Sequence, residues 1–242
     1  MTYEEAANVV MCSHELLVVT PARSRGFRIE TYGQEIRQGF TAAFAKERVQ
    51  KTSQDYIREM QESAMARGMN KVVRDMQPGQ AKWFVGTMGM PGEERVITAA
   101  REEWFEAGRQ PTIDSVAQAL LKKYGAPTQS GNYQGQVSLR WAYDTRNRLI
   151  TETSPLFHQC RGVADPDAGA NLSPDCGVVI AATLYPLRDN PALAEYMQVG
   201  VVDQAGGYER LSATEQGLER AEMARRAKEV EAASRNADAP TL

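Results

Sequence analysis

The sequence is poor in the residues on which several large classes of function depend. It holds 2 histidines among 242 residues, which leaves little material for general-base catalysis or for zinc sites. Its 28 basic and 31 acidic side chains give a net charge of −3, so no basic field is present to attract nucleic acid or anionic lipid. We therefore expect no nucleic-acid partner.

Long apolar runs and catalytic motifs are also missing. A spanning helix needs about 20 apolar residues, and the longest uncharged apolar stretch, Gly177–Leu187, falls well short of that and contains Pro186. We expect no membrane span. The chain also lacks a nucleophile elbow, a His-Glu-x-x-His zinc motif and a phosphate-binding P-loop. We assign no catalytic residue and expect no cofactor.

Only three cysteines are present, and two of them enclose a polar segment rich in proline, glycine and aspartate. A loop of that length without secondary structure is uncommon in a compact domain. A disulfide between Cys160 and Cys176 would close it, which the chain-entropy model values at about 3 kcal/mol. The alternative is two unrelated thiols beside a flexible loop. Cys12 lies in an apolar helical stretch, which predicts a buried side chain.

The predicted disulfide also bears on the compartment. Persistent disulfides form in oxidising surroundings, which predicts a periplasmic or secreted protein. The opening residues do not have the charged and apolar regions of an export signal. Either the signal is missing from this chain, or the protein is cytosolic and the cysteines are reduced.

Caps and periodicity predict four helices. They are expected at 2–12 with Thr2 as N-cap, at 54–67, at 111–125 with Thr112 as N-cap and Gly125 at the end, and from Ser212 towards the C-terminus.

Alternating or continuous apolar runs predict strands at 16–20, 27–31, 82–88, 136–143, 177–185 and 197–201. Residues 34–49 and 95–105 fit helix and strand almost equally, and for 95–105 we favour the returning strand of a hairpin. The order of helix, strands, helix and strands indicates an α+β fold with a largely antiparallel sheet, packed helices and a C-terminal helix.

An internal repeat is suggested by the two capped helices. Residues 2–11 align with 112–121, each with a threonine cap, acid in the first turn and alanine at the sixth position. This predicts two tandem helix-plus-strands modules, at 1–75 and at 76–210 with the disulfide-pinned loop, followed by a helix and tail at 211–242. A single continuous domain is the alternative.

The opening Met1–Glu5, and more loosely Pro111–Gly125 with the Trp141–Tyr143 strand after it, resembles the outer-membrane assembly lipoproteins of the BamE/SmpA type. In that family a Gly-Met-Thr-x-Glu segment opens the helix. Here the preceding glycine is absent, and no lipid-acceptor cysteine opens the chain. The resemblance implies a small α+β module that works in the periplasm as an interaction protein without catalytic residues.

Two groups of residues are weak candidates for metal sites. Asp165, Asp167 and Asn171 resemble the start of a calcium loop, in which alternating oxygens turn towards a hard cation. The loop departs from that pattern at Ala170 and Cys176, and an ordinary solvated turn is the alternative.

The second candidate is zinc, which the pairs Cys12–His14 and His158–Cys160 could bind if they met in space. A disulfide at Cys160 would use one of these ligands.

Taken together, the sequence predicts a non-catalytic extracytoplasmic binding or protein-interaction module of unknown ligand. We expect a protein partner, held by a sheet face, a sheet edge or the C-terminal helix. The alternative is a hydrolase that uses carboxylates in a cleft between the modules, because carboxylate pairs need no sequence motif.

Overall fold

A computed structural model describes residues 1–22, 27–45, 52–68, 76–162, 164–167 and 169–236. Within them the helices are α1 (Tyr3–Met11), α2 (Ser53–Gly68), α3 (Ile113–Tyr124) and α4 (Gln204–Asn236). The strands are β1 (Leu17–Pro21), β2 (Gly39–Phe44), β3 (Ala81–Met88), β4 (Arg95–Trp104), β5 (Gln129–Tyr133), β6 (Gln136–Asp144), β7 (Ala164–Asp165), β8 (Gly169–Ala170), β9 (Cys176–Leu187) and β10 (Asn190–Asp203). The predicted α+β class with an antiparallel sheet and a C-terminal helix is confirmed. No helix in these ranges is both long and apolar enough to cross a membrane.

Eight strands form one antiparallel sheet in the order β1-β2-β3-β4-β10-β9-β6-β5, and β7 and β8 form a separate ribbon. Each half of the sheet is a helix followed by four strands. The first half is α1 with β1 to β4, and the second is α3 with β5, β6, β9 and β10. The halves join through their last strands, β4 and β10, so the first strand of each half lies at an outer edge.

The two halves repeat each other in detail. Thr2 and Thr112 cap α1 and α3 by accepting the N–H of the residue three positions on, at 3.2 and 3.1 Å. The carbonyl before each threonine accepts an N–H from the last strand of its own half. These bonds are Val96 N–H to Met1 O at 3.0 Å and Ala194 N–H to Pro111 O at 2.8 Å.

The equivalence continues along the last strands. A bulge at Ile97 follows Val96 in β4, and a bulge at Glu195 follows Ala194 in β10. Further along, Arg101 pairs with Val199 across the join. Arg101 lies five positions after Val96, and Val199 lies five positions after Ala194, so these two partners also occupy equivalent positions in the two halves. An approximate twofold axis therefore passes through this pair, perpendicular to the sheet.

The predicted module boundary at residue 75 lies outside the described residues. Strand pairing continues on both sides of it, because β2 pairs with β3. By the order of the elements, the first repeat ends with β4 and the second begins with α3. A boundary at residue 75 stays a prediction.

The two faces of the sheet are covered differently. On the helix face, α1 packs over a cluster that includes Phe40 and Val85, and α3 packs over one that includes Trp141 and Leu184. The opposite face, which we call the insert face, carries the segment between β6 and β9 together with the start of α4. Burying each such side chain contributes roughly 1.5–3 kcal/mol, so both layers stabilise the sheet.

Most predicted elements are confirmed, including the strand interpretation of 95–105. In the ambiguous stretch 34–49, residues 39–44 form a strand, and 46–49 lie outside the described residues. The predicted strand at 27–31 is wrong, since these residues pair with no strand. The side chain of Cys12 is exposed rather than buried, because α1 ends at Met11 and the cysteine follows it.

The C-terminal helix is longer than predicted. It begins at Gln204, so Ser212 lies inside the helix and does not cap it. The hydroxyl of Thr214 instead donates to the carbonyl of Arg210 one turn earlier, at 2.7 Å.

Candidate binding face

The predicted disulfide between Cys160 and Cys176 is present. It ties the segment between β6 and β9, which we call the insert, to the start of β9 on the insert face, where Phe157 and Ile150 pack with Val179. The β7–β8 ribbon crosses the middle of the sheet over β10, β4 and β3. Gly200 permits this approach, since a Cβ there would lie 2.1 Å from the carbonyl oxygen of Ala164. Among the described residues, the insert covers the centre of this face and leaves β5 and the first part of β6 uncovered.

The calcium candidates lie on this insert, where two of their carboxylates have protein partners. The Asp167 carboxylate accepts from Lys82 Nζ at 2.5 Å, and the Asp165 carboxylate accepts from the Asp167 N–H at 2.7 Å. Asn171 is exposed beyond β8. Among the described residues no group of three His, Cys, Asp or Glu side chains could hold a metal ion. The calcium site stays a prediction that no contact supports.

For zinc, Cys160 is used by the disulfide, and Cys12 lies at the end of α1 in the other half. The His158 ring instead contacts the Arg161 guanidinium, at 2.5 Å. The four zinc candidates are therefore not brought together.

A buried carboxylate lies on the insert face where the two halves join. Glu102 is 6% exposed, and its oxygens accept from the Trp104 indole N–H at 2.7 Å and from the Gln198 amide at 2.8 Å. Lys82 Nζ lies 3.4 Å away and forms an ion pair with it. Glu102 thus has partners on its own strand and on both neighbouring strands, as a buried carboxylate requires.

Three aromatic rings stack beside this carboxylate. Trp104 and Tyr196 lie 4.8 Å apart with planes at 5°, and Tyr196 and Tyr185 lie 4.1 Å apart with planes at 7°. The Tyr185 hydroxyl donates to Gln198 at 3.1 Å, which joins the stack to the Glu102 network. Trp104 and Tyr196 are buried, whereas Tyr185 is half-buried at the margin of an uncovered surface.

That surface is formed by the residues of β5, β6 and β9 whose side chains lie on the insert face. We call it the open patch, and every one of its members is exposed or half-buried: Gln129, Gly131, Tyr133, Gln136, Ser138, Arg140, Ala181, Thr183 and Tyr185. Their chain neighbours on the helix face, such as Leu139 and Leu184, are buried beneath α3. The same strands therefore bury one face and present the other to solvent.

Arg140 is the charged centre of the open patch. It lines a cavity of about 220 Å³ with Gln129, Ser138 and Thr183. One of its terminal nitrogens donates to the Gln129 side chain, whereas its Nε is buried without a hydrogen-bond partner. Burial lowers the pKa of Arg140, and the nearby positive charge of Arg161 lowers it further. In the part of the chain that the structure describes, neither guanidinium forms an ion pair with a carboxylate.

A second cavity, of about 610 Å³, lies between α1 and the segment that leads to β2. One of the cations that line it, Arg37, is already paired. It forms ion pairs with Glu4 and with the buried Glu94, and its guanidinium lies 4.8 Å from the Tyr3 ring centre. The charge of Arg37 is thus compensated, in contrast to that of Arg140.

The hydrolase alternative would use carboxylates where the two halves join. Two carboxylates at this join are Glu102, bound as described, and Glu103, which pairs with Arg101 at 2.7 Å on the helix face. Where the pKa of a described carboxyl group clearly departs from its ordinary value, as at Glu4, Glu5, Asp144 and Glu222, it is lowered. A general acid would need a raised pKa.

Comparison with known proteins gives no relative. No family model, no curated protein and no solved structure matches the chain.

The sequence indicated two strands of the open patch, β6 and β9, but neither β5 nor the patch itself. Alternation in Gln136–Tyr143 separates Ser138 and Arg140 from the buried positions. It cannot tell whether the polar side faces open solvent or a neighbour, because that depends on where the insert lies.

Proposed function

We propose that this protein is a non-catalytic extracytoplasmic interaction module that binds a protein partner through the open patch. The observation that carries the proposal is the surface on β5, β6 and β9 that the described residues leave uncovered, which presents Tyr133 and Tyr185 together with Arg140 and its shallow cavity. Tyrosine and arginine are enriched among the residues that dominate binding energy at protein interfaces.

The rigidity of the surface supports this proposal. The patch lies on strands rather than loops, and α3 packs behind it with Trp141 and Leu184. Tyr185 is held by its stack with Tyr196. A preformed surface loses little conformational entropy when a partner docks.

The disulfide supports an extracytoplasmic compartment, because such bonds persist in oxidising surroundings. A periplasmic role of the BamE/SmpA kind belongs to the same proposal. No contact in the described residues favours the hydrolase, which stays an alternative without support.

The experiment is cross-linking of the native protein in its own compartment, identification of the partner and reconstitution of the purified pair. We expect Tyr133→Ala, at a side chain that is 73% exposed, to weaken binding at least tenfold, an amount typical of a hot-spot truncation. Tyr56→Ala on α2 removes a tyrosine that is 59% exposed and is not part of the patch, and it serves as the control.

Two results would contradict the proposal. One is a reconstituted complex whose affinity is the same in wild type and Tyr133→Ala. The other is a protein that stays monomeric and cross-links to nothing. Alkylation of protein taken directly from cells, followed by mass measurement with and without reductant, tests the compartment separately, since an oxidised pair adds two labels only after reduction.

A further inference from the structure

Strand β5 is an outer edge of the sheet, and no strand of the described residues pairs with its outward side. All of its residues are exposed. A two-residue turn, Gln134–Gly135, connects it to β6, and both turn residues have positive φ, at 51° and 82°. These angles are those of a type I′ hairpin turn, in which the flanking residues, here Tyr133 and Gln136, form a hydrogen-bonded pair.

The register decides which backbone groups of β5 point outwards. Hydrogen-bonded pairs alternate with non-hydrogen-bonded pairs along an antiparallel ladder. Counting from the turn, the residues of β5 that exchange hydrogen bonds with β6 are Gln129, Gly131 and Tyr133. The N–H and C=O groups of Ser130 and Asn132 therefore point away from β6, towards the free side of the edge.

The other outer edge, β1, is blocked at one of the corresponding positions. The Ala22 N–H donates to the Gly39 carbonyl at 3.0 Å, which fixes the alternation along this strand. The residues of β1 that point outwards are Leu17, Val19 and Pro21. A proline has no N–H to offer to a further strand, and it is a common protection of sheet edges. Strand β5 contains no proline, no charged residue and no bulge.

We propose that the β5 edge binds an extended segment of the protein partner as a ninth strand of the sheet. The proposal rests on the function proposed above and deepens it, because a segment on this edge lies directly beside the open patch. The outward N–H and C=O groups of Ser130 and Asn132 would form its main-chain hydrogen bonds. Addition of a strand to an exposed sheet edge is a recurrent mode of recognising extended peptides.

The open patch favours a polar side chain on the segment beside Gly131. An antiparallel segment would form a non-hydrogen-bonded pair there, in which Cα atoms lie about 4.5 Å apart. Gly131 has no side chain to separate the segment from Ser138, whose Oγ lies 2.9 Å from the position of an added Cβ. The cavity beyond Gly131 is lined by Ser138 and Thr183, so a polar side chain would find hydroxyl partners in it.

A second copy of the chain fits this edge less well than a partner's segment does. Two β5 strands would pair along only about 17 Å. Specific protein interfaces bury about 1,200–2,000 Å², which is more than such a short pairing supplies. An extended segment can use the same edge and also contact the open patch through its alternate side chains, including Tyr133, which is 73% exposed.

The test uses linear octapeptides, selected from a random library displayed on phage against the purified chain and then synthesised. We expect them to slow hydrogen exchange of the Ser130 and Asn132 N–H groups at least tenfold, as followed by NMR. Ser130→Pro removes one outward donor without removing a β5–β6 hydrogen bond, and it should weaken peptide binding at least tenfold. Ser130→Ala changes only a side chain on the helix face and should bind as wild type does. Circular dichroism shows whether both variants are folded.

Several results would overturn the proposal. One is a selection that yields no binding peptide. Others are peptides that bind folded Ser130→Pro as tightly as wild type, or that leave the exchange of both N–H groups unchanged. A wild-type dimer in analytical ultracentrifugation that Ser130→Pro abolishes would also overturn it, because a second copy would then occupy the edge.

This test and the test of the proposed function fail in different ways. A reconstituted complex that is weakened by Tyr133→Ala but not by Ser130→Pro would support the open patch as the binding surface and overturn the added strand. Peptides that bind the edge as expected, together with a native protein that cross-links to nothing, would support the strand site and overturn the proposed function.

Discussion

Glu102 shows how one residue connects the two halves of the sheet. Its carboxylate on β4 accepts from Gln198 on β10 and pairs with Lys82 on β3. Replacing it by alanine leaves the Lys82 ammonium and the Trp104 indole N–H with one partner fewer in a buried place. We expect Glu102→Ala to lower the free energy of unfolding by about 3 kcal/mol, in the range for a broken buried ion pair.

Glu102→Gln is the matched control, because its amide oxygen can still accept from the Trp104 indole while the negative charge is lost. We expect it to cost less than Glu102→Ala in urea unfolding followed by fluorescence. Equal stability of wild type and Glu102→Ala would show that the network contributes nothing to folding.

Some contacts of individual residues could be predicted from the sequence, and others could not. The pairing of Cys160 with Cys176 follows from the loop between them, and the Thr112 cap follows from local spacing. The contact of Glu102 with Gln198 joins residues on strands far apart in sequence, so it depends on a register that no local pattern reveals. Arg140 was not singled out for the same reason.

Helix α4 changes character along its length. Its first part packs on the insert face, and Leu218 is fully buried, whereas residues 223–235 are exposed. Glu222 lies at this transition, with Arg225 and Arg226 at 2.7 and 2.6 Å. Their hydrogen bonds lower the pKa of Glu222 from 4.5 to about 2.

This pKa has a direct consequence for stability. Because the pKa is lower in the folded state, the ionised carboxylate stabilises α4 fully above about pH 5, and the effect is lost as the pH falls from about 4.5 to 2. We expect the difference in helicity between wild type and Glu222→Gln, followed by far-UV circular dichroism, to be largest near neutral pH and to vanish near pH 2. A difference that does not change over this interval would contradict the assignment.

Two elements show why local patterns were ambiguous. Phe40 and Phe44 are four residues apart and therefore share a face in a helix and also in a strand, so their spacing alone could not decide the structure of β2. In the sequence, the consecutive glycines Gly206 and Gly207 indicate a turn rather than the start of a helix. An added Cβ would meet the Asp203 carboxylate at 2.3 Å or Leu172 at 2.7 Å, so these glycines allow close packing inside the helix.

For the whole molecule, the disulfide fixes the insert that covers the middle of the sheet. The bond joins cysteines that are 16 positions apart. We expect Cys160→Ser/Cys176→Ser to lower the free energy of unfolding by about 3 kcal/mol, from the chain entropy that the closed loop removes from the unfolded state. Urea unfolding of wild type and both serine variants measures this.

Cys12→Ser is the control for that experiment, because Cys12 is exposed and free. We expect its stability to equal that of wild type. Equal stability of the oxidised protein and the double variant would instead mean that apolar packing around Phe157 holds the insert without the bond.

The duplicated architecture was partly predictable at this scale. The two capped helices indicated a repeat, because caps are local. The join through β4 and β10 was not predictable, because the chain leaves the first half at Trp104 and returns to it only after a complete second half. The boundary between the repeats becomes recognisable only from the pairing of β10 with β4.

The union of β4 and β10 has a consequence for synthesis. β4 is complete once residue 104 has been added, but its partner strand is not finished until residue 203. At 5–20 residues per second, the nascent first half keeps an unpaired edge for roughly 5–20 s. Such an edge invites pairing with other chains. We therefore expect this protein to need chaperone protection while it is being made, and to aggregate when translation stalls between its two halves.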